Sequence, residues 1–419
     1  MFKQIIATAI LIVSFMLNLI AQNKIETAFF KGNYEKALHL IELREQDETL
    51  KENEHLLAAQ CHAALFDYPK AIERYKAATQ ANLQNMNAWE GLADASINLG
   101  YKENALNAYN QILQTDSLNI RILGKKATLL SDMNRYAEAE TIYRSLLDKN
   151  NHNPFFYRRL MIAMHKQRNY LEIIKTYEAE PNFIDNDKEI QMVVADAFFR
   201  VGGNIETLAI IDQILQNDSL YTPALSRAGH IHFTIYHNYY TAVKLYRTLN
   251  RINGFSDPFH LKNLAICEYF TGNQHFAAQV LDSLITELAD DPMVPFYAGL
   301  SYRKLGNIDR ALELLEYAVG MLSMPPFTSD FYHHLGRAYS AKRMYPEALE
   351  AYQTVLEYDA ENVQVLYDIA ITHEEYNRNQ TVALTYYQQF LQASQGKSTP
   401  DVSYAENRVK RIKEELFFE

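Results

Sequence analysis

The 419-residue sequence predicts an all-α fold of stacked helix–turn–helix units, and three observations carry that expectation. A small residue opens each second helix at a fixed step: Ala37, Ala71, Ala105 and Ala139 stand 34 apart, and the same step reaches Ile173 and Thr207. Steps of 35, 35, 34, 37 and 35 then bring Ala242, Ala277, Ala311, Ala348 and Ala383. Four residues after each comes a large one: Ile41, Tyr75, Tyr109, Tyr143, Tyr177, Ile211, Tyr246, Leu281, Leu315, Tyr352 and Tyr387. Only 14 Gly and 11 Pro are present, which suits helices joined by short turns.

The clearest unit is Asp330–Asp359. Gly336 is followed three residues later by Tyr339, twelve later by Ala348 and sixteen later by Tyr352. Small residues let two helix backbones approach, and Pro346 falls in a first helical turn, where no N–H donor is needed. The stretches Trp89–Ala93, Tyr297–Tyr302 and Leu335–Tyr339 repeat the pattern best, while the copies holding Ile173 and Thr207 are degenerate. This spacing resembles the tetratricopeptide repeat, a helix–turn–helix unit of about 34 residues. The resemblance covers residues 22–397. It implies a right-handed superhelical solenoid of about eleven repeats, closed by a C-terminal capping helix. It also implies that the first helices line a concave surface taking extended or helical peptide segments. The family's set of Lys, Asn and Arg side chains that clamps a C-terminal carboxylate is not found here, so binding of chaperone tails is not implied.

In chain order, Lys3 precedes a mostly apolar run, Ile5–Ile20, with Ala21 as a cleavage position and Gln22 as the first mature residue. Residues 1–21 therefore read as a secretory signal peptide. That places the folded part outside the cytoplasm, periplasmic or envelope-associated. The alternative is an N-terminal membrane anchor, since the run is near the short limit for spanning a bilayer. No Cys follows the run, so lipid attachment is not expected. Asn23–Lys31 forms a first helix, Gly32-Asn33 turns, and Tyr34–Arg44 forms a second. Copies follow at 52–85, 86–119, 120–153, 154–187 and 188–221, with turns at Asp67–Pro69, Gly100, Asn134, Asn169 and Gly202-Gly203. Insertions stand at Tyr236–Tyr239 and Ser256–Asp257, and Ser323–Phe327 reads as an extended link. Gln395–Pro400 breaks the period. Val402, Ala405, Val409, Ile412 and Leu416 then recur at helical spacing, so 400–416 reads as the capping helix of a C-terminal segment, 398–419, with Phe417-Phe418 beyond it. Cys61 and Cys267 occupy equivalent first-helix slots six copies apart. Helices stacked at about 8–10 Å leave them far beyond the roughly 6 Å that a bridge requires, so two buried free thiols are expected.

A net charge of −11 argues against a general nucleic-acid binder. There is no glycine-rich phosphate loop or metalloprotease helix motif. His230, His232 and His237 diverge on a helix, as do His333 and His334. No catalytic, cofactor or metal residues are therefore expected, and the chain is not read as an enzyme. On the first-helix face, Glu90 and Asp94 make an acidic start, and Glu374 and Glu375 an acidic end. Between them one stretch, 262–337, interleaves aromatic and basic residues. Lys262, Tyr269, Phe270, Phe296, Arg303, Lys304, His333 and Arg337 are its candidate partner-binding residues, because exposed aromatic and Arg side chains are common interface anchors. Protein or peptide partners with acidic or carboxylate-bearing segments are expected, with membrane contact only through an uncleaved N-terminus. The leading reading is a non-catalytic interaction scaffold or adaptor of the bacterial cell envelope. An outer-membrane-associated glycan-binding uptake protein is the alternative, but long loops are lacking and Trp89 is the only Trp.

Overall fold

The computed structural model describes residues 22–148, 153–180, 187–322, 328–377, 379–395 and 399–418. The expected signal segment and the link Ser323–Phe327 lie outside them. The described residues form 23 helices with no strand. In order these are α1 (22–30), α2 (Tyr34–Asp47), α3 (Glu52–Ala64), α4 (Tyr68–Ala81), α5 (Met86–Asn98), α6 (Lys102–Thr115), α7 (Ile120–Asp132) and α8 (Tyr136–Asp148). There follow α9 (Pro154–Lys166), α10 (Tyr170–Ala179), α11 (Lys188–Arg200), α12 (Asn204–Asn217), α13 (Thr222–Thr234), α14 (Tyr239–Ile252), α15 (Pro258–Phe270) and α16 (Gln274–Leu284). The last are α17 (Met293–Lys304), α18 (Ile308–Gly320), α19 (Thr328–Ala341), α20 (Tyr345–Tyr358), α21 (Val363–Asn377), α22 (Gln380–Ala393) and α23 (Pro400–Phe418). Two compact units divide between Thr207 and Leu208, inside α12 and within a copy whose pattern is degenerate. Within each unit a helix packs on its successor, the nearest-neighbour arrangement of an α-solenoid.

The small-residue step marks the tightest contacts. All eleven residues on it, from Ala37 to Ala383, have no exposed surface, Ile173 and Thr207 included. Thr207 fits an alanine slot because its Oγ1 donates to the Gly203 and Ala195 carbonyls at 2.7 and 3.2 Å. The large residue four positions on is buried in every copy except that of Tyr177, which is half-buried. These side chains fill the space left by a missing Cβ. A Cβ at Gly336 would lie 2.5 Å from the Tyr352 ring, and one at Gly299 2.8 Å from Leu315. Two of the tyrosine hydroxyls find carboxylates: Tyr109 donates to Asp94 at 3.3 Å and Tyr387 to Glu374 at 3.0 Å.

The turns repeat as strictly as the helices. A residue with positive φ ends most first helices, at Gly32, Phe66, Gly100, Asn134, Arg168, Gly202, His237, Gly272, Gly306 and Arg343. The next N–H reaches back to a carbonyl five residues earlier, as Asp67 does to His62 at 2.9 Å and Met344 to Tyr339 at 2.9 Å. At Asn33, Asp67, Asn238 and Asn307 the side chain then caps the following helix, as Asp67 does by accepting from the Lys70 N–H. Pro346 lies in the first turn of α20. The N-terminal pair matches its expected place, although α2 runs to Asp47 rather than stopping at Arg44. The capping helix is likewise longer than expected, because α23 continues through Phe418. Thr399 starts it, accepting the Val402 N–H at 3.4 Å, and Ala405 and Ile412 are fully buried against α22 and α21. Cys61 and Cys267 are buried and unpaired, and burial pushes their thiols up to about 11 and about 12.

Candidate functional site

In the second unit, α15, α17, α19 and α21 are first helices that touch one another in succession. α15 begins at Pro258, and Asp257 caps it through the His260 N–H at 3.0 Å. The helices are short, 12 to 15 residues, so equivalent positions in consecutive copies come side by side.

The candidate residues separate into three environments. Lys262 is buried, not a free groove cation: its Nζ donates to Asp291 Oδ2 at 2.6 Å and lies 4.5 Å from the Phe259 ring centroid. A buried ammonium needs such a partner to offset its lost hydration. Tyr269 and Phe296 were expected to be exposed contacts, but they belong to the core. Phe296 stacks on Phe331 with centroids 3.8 Å apart and is 5% exposed. Tyr269 meets Phe270 and Tyr297 edge-on. Phe270 is exposed, as expected, and stacks on Tyr239 at 4.1 Å. Lys304 is exposed, with Nζ 4.0 Å from the Tyr269 ring centroid.

The third environment gathers Arg303, His333, His334 and Arg337 around Asp368. His333 Nε2 and Arg337 Nε both meet Asp368 Oδ2 at 2.7 Å, so neither is the free charge the sequence suggested. Burial pushes the Asp368 carboxyl up, but these two hydrogen bonds and their charges outweigh it and hold the group below the usual carboxylate range. His334 goes the other way: burial, reinforced by Arg303, His333 and Arg337, drives its imidazole down to about 3. His334 is therefore neutral at pH 7, and its Nδ1 is buried without a hydrogen bond among the described residues. Arg303 also differs from its neighbours. Its Nε is sealed from solvent without a hydrogen-bond partner, and no carboxylate among the described residues pairs with it. Burial, then the Arg337 charge, lowers its pKa from the ordinary guanidinium value.

In the first unit the expected acidic start is neutralised. Glu90 takes Arg121 and Lys125, and Asp94 takes Lys125 at 3.0 Å. Burial alone would raise the Glu90 carboxyl, but those cations bring it below its usual range. Ile97, Ile120, Gly124, Phe155 and Phe156 line a groove of ≈ 490 Å³ beside these pairs. The acidic end is also partly closed, since Glu374 accepts from Arg408 of the capping helix. Among the described residues no group of three His, Cys, Asp or Glu side chains converges as metal ligands. No helix among them is long and apolar enough to cross a membrane.

Sequence reasoning missed Asp291, His334 and Asp368, yet a signal for such pairs was available. Glu90–Arg121, Arg158–Glu189, His165–Asp196 and Arg337–Asp368 are each 31 residues apart. An ionic partner one copy on, 29 to 35 residues away and most often 31, is a recurrent feature of the first helices.

Comparison with curated proteins finds no match. Among solved structures, a chain of the APC/C hetero-tetramer Cut9–Hcn1 is 14% identical and matches over 93% of this chain and 95% of its own, with a TM-score of 0.44. Yeast Tom70 is 14% identical over 95% of this chain and 96% of its own, with a TM-score of 0.38. YrrB, a tetratricopeptide protein with an unusual peptide-binding site, is 19% identical over 47% of this chain and 96% of its own, with a TM-score of 0.39. A tetratricopeptide-repeat family model matches residues 56–119 in the first unit and 333–398 in the second.

Proposed function

We propose that this protein is a non-catalytic interaction scaffold or adaptor of the bacterial cell envelope, docking segments of partner proteins on the first-helix face of its second unit. The observation that carries the reading is Arg303, a half-buried guanidinium without a carboxylate partner among the described residues, next in sequence to the exposed Lys304 on α17, which adjoins the α15 helix of the exposed Phe270. Cation and exposed aromatic together suit an acidic or carboxylate-bearing segment with apolar flanks. Tetratricopeptide repeats supply the setting, since nearest-neighbour stacking exposes a long face and leaves the chemistry to whatever that face carries.

The test compares partners captured from an envelope fraction by wild type and by Arg303→Glu/Lys304→Glu, after circular dichroism shows both folded. Arg337 is left intact, because reversing it would strand Asp368 beside a second acid. Loss of partners from the variant, and slower capture by wild type at higher salt, is the expected result. Equal recovery moves the docking surface elsewhere. Export belongs to the same proposal and rests on the apolar run Ile5–Ile20 before Ala21. Intact-mass analysis should find a chain beginning at Gln22 in the periplasmic fraction, whereas retention of Met1–Ile20 would assign the anchored form.

A further inference from the structure

The first-helix polar pairs form a ladder in which an acid meets a basic side chain 31 positions away. Glu90 meets Arg121, Arg158 meets Glu189, His165 meets Asp196 and Arg337 meets Asp368. Thirty-one residues after Arg303 stands His334, which carries no negative charge to give. Asp368, an acid whose charge acts on Arg303, already holds His333 and Arg337 on one oxygen. The rung is therefore incomplete on both sides: Arg303 Nε and His334 Nδ1 are each buried with no hydrogen-bond partner. The Arg303 side chain makes no hydrogen bond among the described residues, and only its Nε is sealed, so the terminal nitrogens keep contact with solvent.

We infer that Arg303 is an open rung which receives the side-chain carboxylate of an Asp or Glu in the docked partner segment. This rests on the docking reading above and goes further in naming the group that docks. A guanidinium presents parallel N–H donors that match a carboxylate in two-point contact. The other rungs are closed by side-chain acids, with N···O distances such as 2.7 Å at Arg337–Asp368 and 2.9 Å at His165–Asp196. Arg303 is half-buried with its Nε sealed, and an acid on a two- or three-carbon arm reaches its terminal nitrogens without the partner's main chain following. Lys304, next in sequence, and the exposed Phe270 on the adjoining α15 suit acidic and apolar neighbours of that residue.

The test uses three pools of decamer peptides passed over immobilised full-length protein. One pool is blocked at both ends with a fixed central Glu, one is blocked with a fixed central Gln, and one has Gln and a free C-terminal carboxylate. The expected result is at least about tenfold greater retention of the Glu pool than of the blocked Gln pool, the scale of a charge-assisted pair. Arg303→Gln should erase that difference without lowering the melting temperature, since it removes a charge with no internal partner. His334→Asp should fill the rung from inside, raising the melting temperature and reducing the Glu pool to the Gln level. Equal retention of the two blocked pools overturns the open rung while docking on this face stands. Retention of the free-carboxylate pool alone overturns the side-chain assignment, and retention of none overturns both readings. A fall in melting temperature for Arg303→Gln as large as that for Asp368→Asn would show that Arg303 is already satisfied internally, and would overturn the inference.

Discussion

The two units carry the same ladder at different depths. In the first, Arg121 is 62% exposed and Asp94 50%, so the Arg121 and Asp94 side of the network lies in water, although Glu90 is only 15% exposed. In the second, Asp368 and His333 are 13% and 11% exposed, and Arg337 leans on the same carboxylate. A solvated pair gains little over its hydrated ions, whereas a buried one must be complete or it costs stability. The Asp94–Lys125 contact is therefore tolerant of change, whereas the Asp368 cluster is selective. That is why the unpartnered Arg303 matters where an unpaired surface arginine would not.

The largest expected effects lie where the units should agree. Tyr109 and Tyr352 are each 1% exposed and occupy the same slot. Tyr109→Ala and Tyr352→Ala should each cost about 3–5 kcal/mol by cavity formation. Trp89 fluorescence would follow the first unit and far-UV circular dichroism both. A much smaller cost in one unit would mean that its stack relaxes around the void.

The ladders should then part company. Asp368→Asn leaves a buried guanidinium and imidazole short of their shared acceptor and should cost about 3 kcal/mol, while Asp94→Asn should cost less than about 1 kcal/mol. Denaturant titration of both variants measures the contrast, and equal losses would deny the difference in depth.

Acid should separate them further. The His334 imidazole is depressed to about 3 from its ordinary 6.5, so between those values the unfolded chain takes up a proton that the folded one refuses. Stability from this group is whole above about 6.5 and declines as pH falls toward 3. Asp368, also depressed, adds a loss at lower pH, beginning below its unfolded value and complete once the folded carboxylate protonates. His334→Gln should flatten the melting temperature between pH 6.5 and 4, and an unchanged slope would assign the acid response to other groups.

The smallest effects are local. Lys304→Ala should cost about 0.5–1 kcal/mol through its contact with the Tyr269 ring. Arg343, held at φ 62°, should gain up to about 1 kcal/mol on replacement by Gly, as read by melting temperature.

Much of the fold was legible because it is periodic. The step from Ala37 to Ala383 marks eleven fully buried positions, and its two misfits, Ile173 and Thr207, are as buried as the alanines. Pro346, the Asp67 turn, the Thr399 start and the free thiols followed from rules local to a few residues. The site was less legible. Lys262, His333 and Arg337 read as free cations because their acids, Asp291 and Asp368, stand 29 to 35 residues away in the next copy. Tyr269 and Phe296 read as groove aromatics because the period places them on the first-helix face without fixing their depth.

The sequence by itself determined the all-helical architecture, the register of the helices and the shared small-residue slots, because each depends on spacing along one helix pair. Only the tertiary structure decided which first-helix side chains are covered and which charges are matched. Those outcomes depend on how closely one copy's first helix lies against the next and on what side chain the neighbour offers there. At Arg303 it offers His334 rather than an acid, and that single non-match separates the proposed docking point from an ordinary rung.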